Sequence, residues 1–143
     1  LAQQYWNKKA YTKQAQRNAF NMNGNRWENI KIIRYADVIL MAAEAANELG
    51  MTSEASTLVN QIRSRAGLGN TTASGQAALR TAIKQERRVE FAMEESRFYD
   101  LVRWGDASSV LGSLGYQPRN EFYPIPQEAI DQSGGILVQN PNY

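Results

Sequence analysis

The sequence contains neither histidine nor cysteine. That excludes histidine-dependent triads, histidine general bases, zinc sites of the usual ligand sets, cysteine nucleophiles and disulfides. It leaves the redox compartment open, because a chain without cysteine suits any of them. No apolar run approaches the ~20 residues that span a bilayer, and no signal peptide opens the chain, which starts at Leu1. Bulky aliphatics are also sparse: Leu, Ile, Val and Phe make up about a fifth of the residues, near the lower edge for a self-sufficient domain. A thin core and a non-methionine start are expected of a piece of a longer protein.

What the chain does have is alanine and amides. Its 143 residues suffice for one domain with a real core, and its alanine content favours close-packed helices over a thick sheet. The net charge of +2 is unevenly spread. Lys8, Lys9, Lys13, Arg17, Arg26, Lys31 and Arg34 face only Glu28 in the first 34 residues. Such an arm could contact phosphate, but a solvated or docked basic surface is the simpler reading, and no nucleic-acid partner is expected.

Residues 1–29 read as an irregular basic and aromatic segment, with a loop around Gly24. From Ile32 a helical period sets in: Tyr35, Val38, Ile39, Ala42, Ala46 and Leu49 share one face, and Gly50 stands where a left-handed cap would end the helix. Ser53 is a candidate N-cap for a second helix with the stripe Ala55, Leu58, Val59, Ile62 and Ala66, closed by Gly67. Two helices joined this tightly form an antiparallel hairpin over 32–67. The small Ala55, five residues after Gly50, matches half of a tetratricopeptide signature and predicts a close helix crossing there. The Gly-rich stretch 67–75 lacks the Lys-Ser/Thr of a phosphate loop and follows no strand, so it reads as a plain loop. Helical pattern covers 32–105, with a third helix running from Gln76 into the nineties and a fourth ending at Gly105. Residues 106–143 read as a largely extended tail, since Pro124 and Pro126 keep Glu121–Pro126 out of a helix; a short helix or turn fits from Gln127.

The third helix carries charge on its apolar face. At 100° per residue, Leu79, Ala82, Ile83, Glu86, Glu90, Met93, Arg97, Asp100, Leu101 and Trp104 share one side, with Arg87 and Glu94 flanking. Two readings follow. Glu86 and Glu90, one turn apart, have the spacing of a retaining-glycosidase carboxylate pair. Alternatively, Glu86, Arg87, Glu90, Glu94, Arg97, Asp100 and Arg103 form a structural ion network, because buried carboxylates need partners. The abundance of guanidiniums favours the second. Among the aromatics, Tyr35 and Trp104 fall at core phases. Tyr5, Trp6 and Trp27 do not, and with their amide neighbours they are candidates for stacking on sugar rings.

In order along the chain, Arg34-Tyr35-Ala36-Asp37-Val38-Ile39-Leu40-Met41 through Glu44-Ala45 resembles the RYADVLLMxAEA helix of SusD/RagB-like proteins. Asn60-Gln61-Ile62-Arg63-Ser64-Arg65-Ala66-Gly67-Leu68 resembles their NxIRxRAGL. Glu86 through Gly105 resembles ERRxEFxxExxRxxDLxRWG, with Glu95 where glycine is common. Tyr123-Pro124-Ile125-Pro126 and Gln139-Asn140-Pro141-Asn142-Tyr143 resemble YPIP and a terminal QNPGY. The resemblance implies a mainly α fold of tetratricopeptide-like helical hairpins with long irregular segments, here the C-terminal portion of a longer domain. It also implies non-catalytic capture of glycans, or of peptides in some members, by an outer-membrane surface lipoprotein of Bacteroidetes. The ligand would pass to a TonB-dependent SusC-like transporter. It implies no cofactor and no metal, and it transfers no ligand-contacting residue to this chain. A tetratricopeptide-like protein-interaction module is the alternative, and a glycosidase using Glu86 and Glu90 a remote one.

Overall fold

The computed structural model describes Lys9, Tyr11, Lys13, Ala15, Asn18 and residues 31–143. All regular structure among them is helical. The chain divides into two compact units, the first ending at Met93 and the second beginning at Glu94.

In the first unit, α1 (Tyr35–Glu48) and α2 (Thr52–Arg65) form the expected antiparallel hairpin, and α3 (Gln76–Glu90) packs against both. Asp37, in the first turn of α1, complements the positive end of its dipole. Gly50 ends α1 at φ 79, with Met51 N–H donating to Ala46 O at 2.8 Å and Gly50 N–H to Asn47 O at 3.0 Å. This double bond is a Schellman motif, and its left-handed residue favours glycine. Gly67 ends α2 in the same way. Ser53 is not the N-cap of α2. The Schellman turn delivers the chain directly into the next helix, which starts two residues earlier with Met51 as an uncapped N-cap.

The core consists of Ala36, Ile39, Leu40 and Ala43 from α1, Val59 and Ile62 from α2, and Ile83 and Phe91 from and just after α3. Ala55 is fully buried, as a close crossing requires. The stripe expected on α1 is displaced. Ile39 and Ala46 are buried, but Tyr35 and Leu49 are each 76% exposed, and Ala36, Leu40, Ala43 and Asn47 turn inward instead. The buried face is thus rotated by about one residue, ~100°. The cause lies in the helix itself, which is apolar round most of its circumference, so periodicity alone cannot choose the face. Docking chooses it: Asn47 Nδ2 donates to Gln76 O at 3.0 Å and Gln76 Nε2 to Asn47 O at 2.7 Å, locking α1 to the start of α3. Tyr35, Val38, Met41 and Leu49 are left as an uncovered apolar stripe among the described residues.

The third helix stops at Glu90 rather than running on in phase. Met93 and Glu95 take left-handed backbone, each at φ 64, and Met93 is 67% exposed instead of facing the core. Glu95, at the position where the resemblance expects glycine, adopts the conformation that glycine would supply.

The second unit contains α4 (Arg97–Arg103), α5 (Ala107–Leu111), two 3₁₀ turns (Gly112–Leu114 and Pro118–Glu121) and α6 (Gln127–Gln132). The segment 106–143 is therefore not extended throughout, and Glu121 belongs to a 3₁₀ turn; the proline rule keeps only 122–126 out of helix. That stretch is held by the end of the chain. Gln139 exchanges two 2.8 Å bonds with the backbone of Ile125, Asn140 Nδ2 donates to Tyr123 O at 2.6 Å, and Tyr143 OH to Phe122 O at 3.0 Å. A glutamine side chain here does the work of a strand partner, and Asn142 closes the clamp at φ 68.

Two outcomes test this fold. Tyr35→Gln is expected to change unfolding free energy by less than about 0.5 kcal/mol in urea titrations, whereas Leu40→Ala costs about 2–5 kcal/mol. If Tyr35 faced the core as periodicity suggests, the two would be comparable. Glu95→Gly is expected to be neutral or to stabilise by up to about 1 kcal/mol, because glycine removes the left-handed penalty, while Glu95→Val destabilises by at least about 1 kcal/mol. Thermal melts of the pair distinguish this bend from a continuous helix.

Candidate functional site

Around the junction of the three helices, the charged residues of α3 meet partners that the sequence did not assign to them. Glu90 receives Arg34 Nη1 on Oε1 at 2.8 Å and Arg65 Nη2 on Oε2 at 2.5 Å. Its backbone oxygen accepts from Arg34 Nη2 at 3.1 Å and from the Lys9 ammonium. Glu86 Oε2 accepts from Arg63 Nη1 at 2.9 Å. Arg87, whose side chain is only 6% exposed, donates to Asp37 Oδ1 at 2.8 Å. Two guanidiniums lie over the Phe91 ring, Arg34 at 5.1 Å and Arg87 at 5.0 Å from its centre. Arg34 and Asp37 begin α1, Arg63 and Arg65 end α2, and Glu86, Arg87 and Glu90 end α3. One lattice ties three helix termini together.

This differs from the expected pairing within one charged stripe. The reason is the break after Glu90, which removes the common phase on which that pairing rested. Arg103 instead pairs with Asp100 at 3.0 Å in the second unit, and its guanidinium lies 4.7 Å from the Trp104 ring centre. Arg97 makes no ion pair or hydrogen bond with a described residue. A second ion pair links α1 and α3 at the far end: Arg80 holds Glu48 through two bonds, at 2.7 and 2.5 Å. This holds the Glu48 carboxyl below the usual carboxylate range.

The lattice is poorly suited to proton transfer. Both carboxylate oxygens of Glu90 are occupied by guanidiniums, and Glu86 is buried against Arg63. A general acid needs a free oxygen facing substrate. Among the described residues no cluster of acids suits a metal ion.

The sugar-stacking candidates Tyr5, Trp6 and Trp27 lie outside the described residues. Tyr35, expected in the core, is exposed, and Trp104 is half-buried. Sequence reading passed over two further surfaces. In the second unit, the Phe98 ring stands 5.9, 6.3 and 6.4 Å from those of Tyr99, Tyr116 and Tyr123, with Tyr99 and Tyr123 exposed. The Tyr123 hydroxyl is pushed above the usual phenol range by its hydrogen bond with Tyr99. In the first unit, a concavity of about 670 Å³ is lined by Thr57, Asn60, Gln61, Ser64, Arg65 and Asn70. Its helical spacing was visible in the sequence, but a solvated helix face has the same pattern.

The SusD family pattern matches residues 2–120. The chain belongs to the SusD family. SusD-like protein P2 of Formosa agariphila is 35% identical over 127 residues, 78% of this chain and 25% of that protein. A laminarin-binding SusD-like protein of known structure shares 42% identity at a TM-score of 0.67, over 78% of this chain and 23% of its own. The surface glycan-binding protein A of Bacteroides thetaiotaomicron shares 34% at a TM-score of 0.65, over 81% of this chain and 25% of its own. The chain thus spans about a quarter of the length of these relatives. The SusD fold of these neighbours is helical, and the hairpin of α1 and α2 is its tetratricopeptide-like element. The motif blocks that resemble the SusD family, which looked like separate helix signatures, supply the lattice from both sides: Arg34 and Asp37, Arg63 and Arg65, Glu86, Arg87 and Glu90.

If the lattice fixes how these helices meet, the two members of the Arg87–Asp37 pair are energetically coupled. Asp37→Ala is expected to destabilise by about 1–3 kcal/mol, and Arg87→Leu is expected to cost less in that background than alone. Urea unfolding of the two single variants and the double variant measures this coupling; additive losses would mean that the pair contributes nothing.

Proposed function

We propose that this chain is the C-terminal portion of a SusD-like protein that captures glycans at the cell surface without catalysis. The observation that carries this reading is its likeness, at 42% identity, to a laminarin-binding member of its own family. The likeness to a surface glycan-binding protein supports the same ligand class. By the same reasoning the captured glycan passes to a TonB-dependent SusC-like transporter in the outer membrane, with attachment to the membrane by a lipid anchor outside these residues. No described helix is long and apolar enough to cross a membrane.

Two structural features support a place inside a longer domain. The helix α1 is apolar on both faces yet covered on one, and a helix of that kind belongs between layers. The relatives that share the fold are about four times as long. Capture of a sugar by the whole protein then depends chiefly on aromatic platforms elsewhere, with Tyr5, Trp6 and Trp27 as the contribution of this chain. The pairing of Glu86 and Glu90 with guanidiniums argues for binding over hydrolysis.

Calorimetric titration of the 143-residue chain with laminarin and a panel of plant and host glycans tests this. Binding is expected to be no tighter than millimolar, roughly −4 kcal/mol, because few aromatics offset the cost of immobilising a flexible sugar chain. Micromolar binding abolished by Trp6→Ala or Trp27→Ala would place the main site in these residues. Glycoside hydrolysis lost on Glu90→Gln would replace capture with catalysis.

A further inference from the structure

The depression on α2 is broad and open to solvent, and the loop beside it is held in place by hydrogen bonds. Its floor is the outer side of the helix, where Thr57, Asn60, Gln61 and Ser64 recur at i, i+3, i+4 and i+7, opposite the buried Ala55, Val59 and Ile62. Asn70 of the 67–75 loop forms one edge, and that loop is fastened to α2 at two points. Thr71 N–H donates to Asn60 Oδ1 at 2.7 Å, and Arg63 Nε donates to Gly69 O at 2.7 Å. Thr71 Oγ1 then accepts from Ala73 N–H at 3.2 Å, holding the loop in its turn.

The lining chemistry narrows the ligand. Gln61, Ser64 and Asn70 carry amide and hydroxyl groups that no described residue engages. The bond from Thr71 orients the Asn60 amide by its oxygen, and no described residue engages its Nδ2. No carboxylate lines the groove, and its single cation, Arg65, is spent on Glu90. A phosphate backbone or an acidic sugar would need unpaired cations, and the lining of the groove offers none. An amide presents a donor beside an acceptor, which matches two neighbouring hydroxyls on a sugar ring.

We propose that the α2 groove is a subsite for a neutral oligosaccharide, gripped edge-on by Asn60, Gln61, Ser64 and Asn70. It rests on the glycan-capture reading and adds a second, weaker contact away from any aromatic platform. Without a stacking ring it binds in the millimolar range, enough to hold one stretch of a long glycan engaged elsewhere.

Nitrogen-edited NMR titration of the full chain with laminaritriose, maltotriose, xylotriose and the acidic trigalacturonate tests this. A neutral trisaccharide is expected to shift the backbone and side-chain amides of Gln61, Ser64 and Asn70, saturating at millimolar concentration, with trigalacturonate weaker. The double variant Gln61→Ala, Asn70→Ala, both at exposed positions, is expected to weaken binding at least about tenfold with an unchanged melting temperature. Shifts that map only to residues 1–30 or to the second unit, or that survive the double variant, overturn the groove and leave glycan capture standing. Equal or tighter binding of trigalacturonate overturns the neutral specificity. No shift with any saccharide overturns the groove together with any share of this chain in capture.

Discussion

The largely buried carboxylate of Glu90, its side chain 11% exposed, is the constraint around which the first unit is organised. A carboxylate taken from water without partners costs several kcal/mol, and a fold that buries one must bring cations to it from elsewhere. Here they arrive from two other helices, Arg34 at the start of α1 and Arg65 at the end of α2. Meeting that need fixes where three helix ends converge. Glu86 with Arg63, and Arg87 with Asp37, repeat the solution one turn earlier and in the opposite sense.

Such a lattice adds little net stability beyond what apolar packing would give; its effect is on register. The core it frames is small, built around alanines with few bulky side chains, and Leu40, Val59, Leu79 and Ile83 are among its largest fully buried members. Small, similar side chains tolerate sliding, since one alanine fits where another did. Charged pairs do not, because a shift of one residue leaves a carboxylate facing a carbonyl. At the other end of α1, the Asn47–Gln76 exchange and the Glu48–Arg80 pair impose the same discrimination. The hairpin and α3 are thus pinned at both ends by polar groups and filled between by alanine.

The second unit solves a different problem with a similar device. Prolines at 124 and 126 deny the stretch a helix and remove two backbone donors, so its remaining polar groups need partners of another kind. Gln139 and Asn140 provide them by side chain, and Tyr143 seats its hydroxyl on Phe122 O. Two short motifs far apart in sequence are the two halves of one clamp.

Much of this was legible in the sequence. The helical hairpin, its glycine ends at Gly50 and Gly67, the buried Ala55 and the non-helical proline stretch all follow from local rules, because left-handed caps, proline geometry and a 3.6-residue period are properties of short segments. The family was legible as well, carried by the motif blocks. Which face of α1 is buried was not, since a helix apolar on both sides leaves the choice to its neighbours. Nor were the partners of Glu86, Arg87 and Glu90, because ion pairing was read along one helix while the cations came from two others, and the left-handed residues at Met93 and Glu95 cut the phase on which that reading stood. The groove on α2 depends on the fold for the same reason: its polar residues are ordinary on a solvent-facing helix until the 67–75 loop is fastened beside them. Local chain chemistry determined the elements and their ends; three-body packing decided which surfaces meet, and therefore where a ligand can rest.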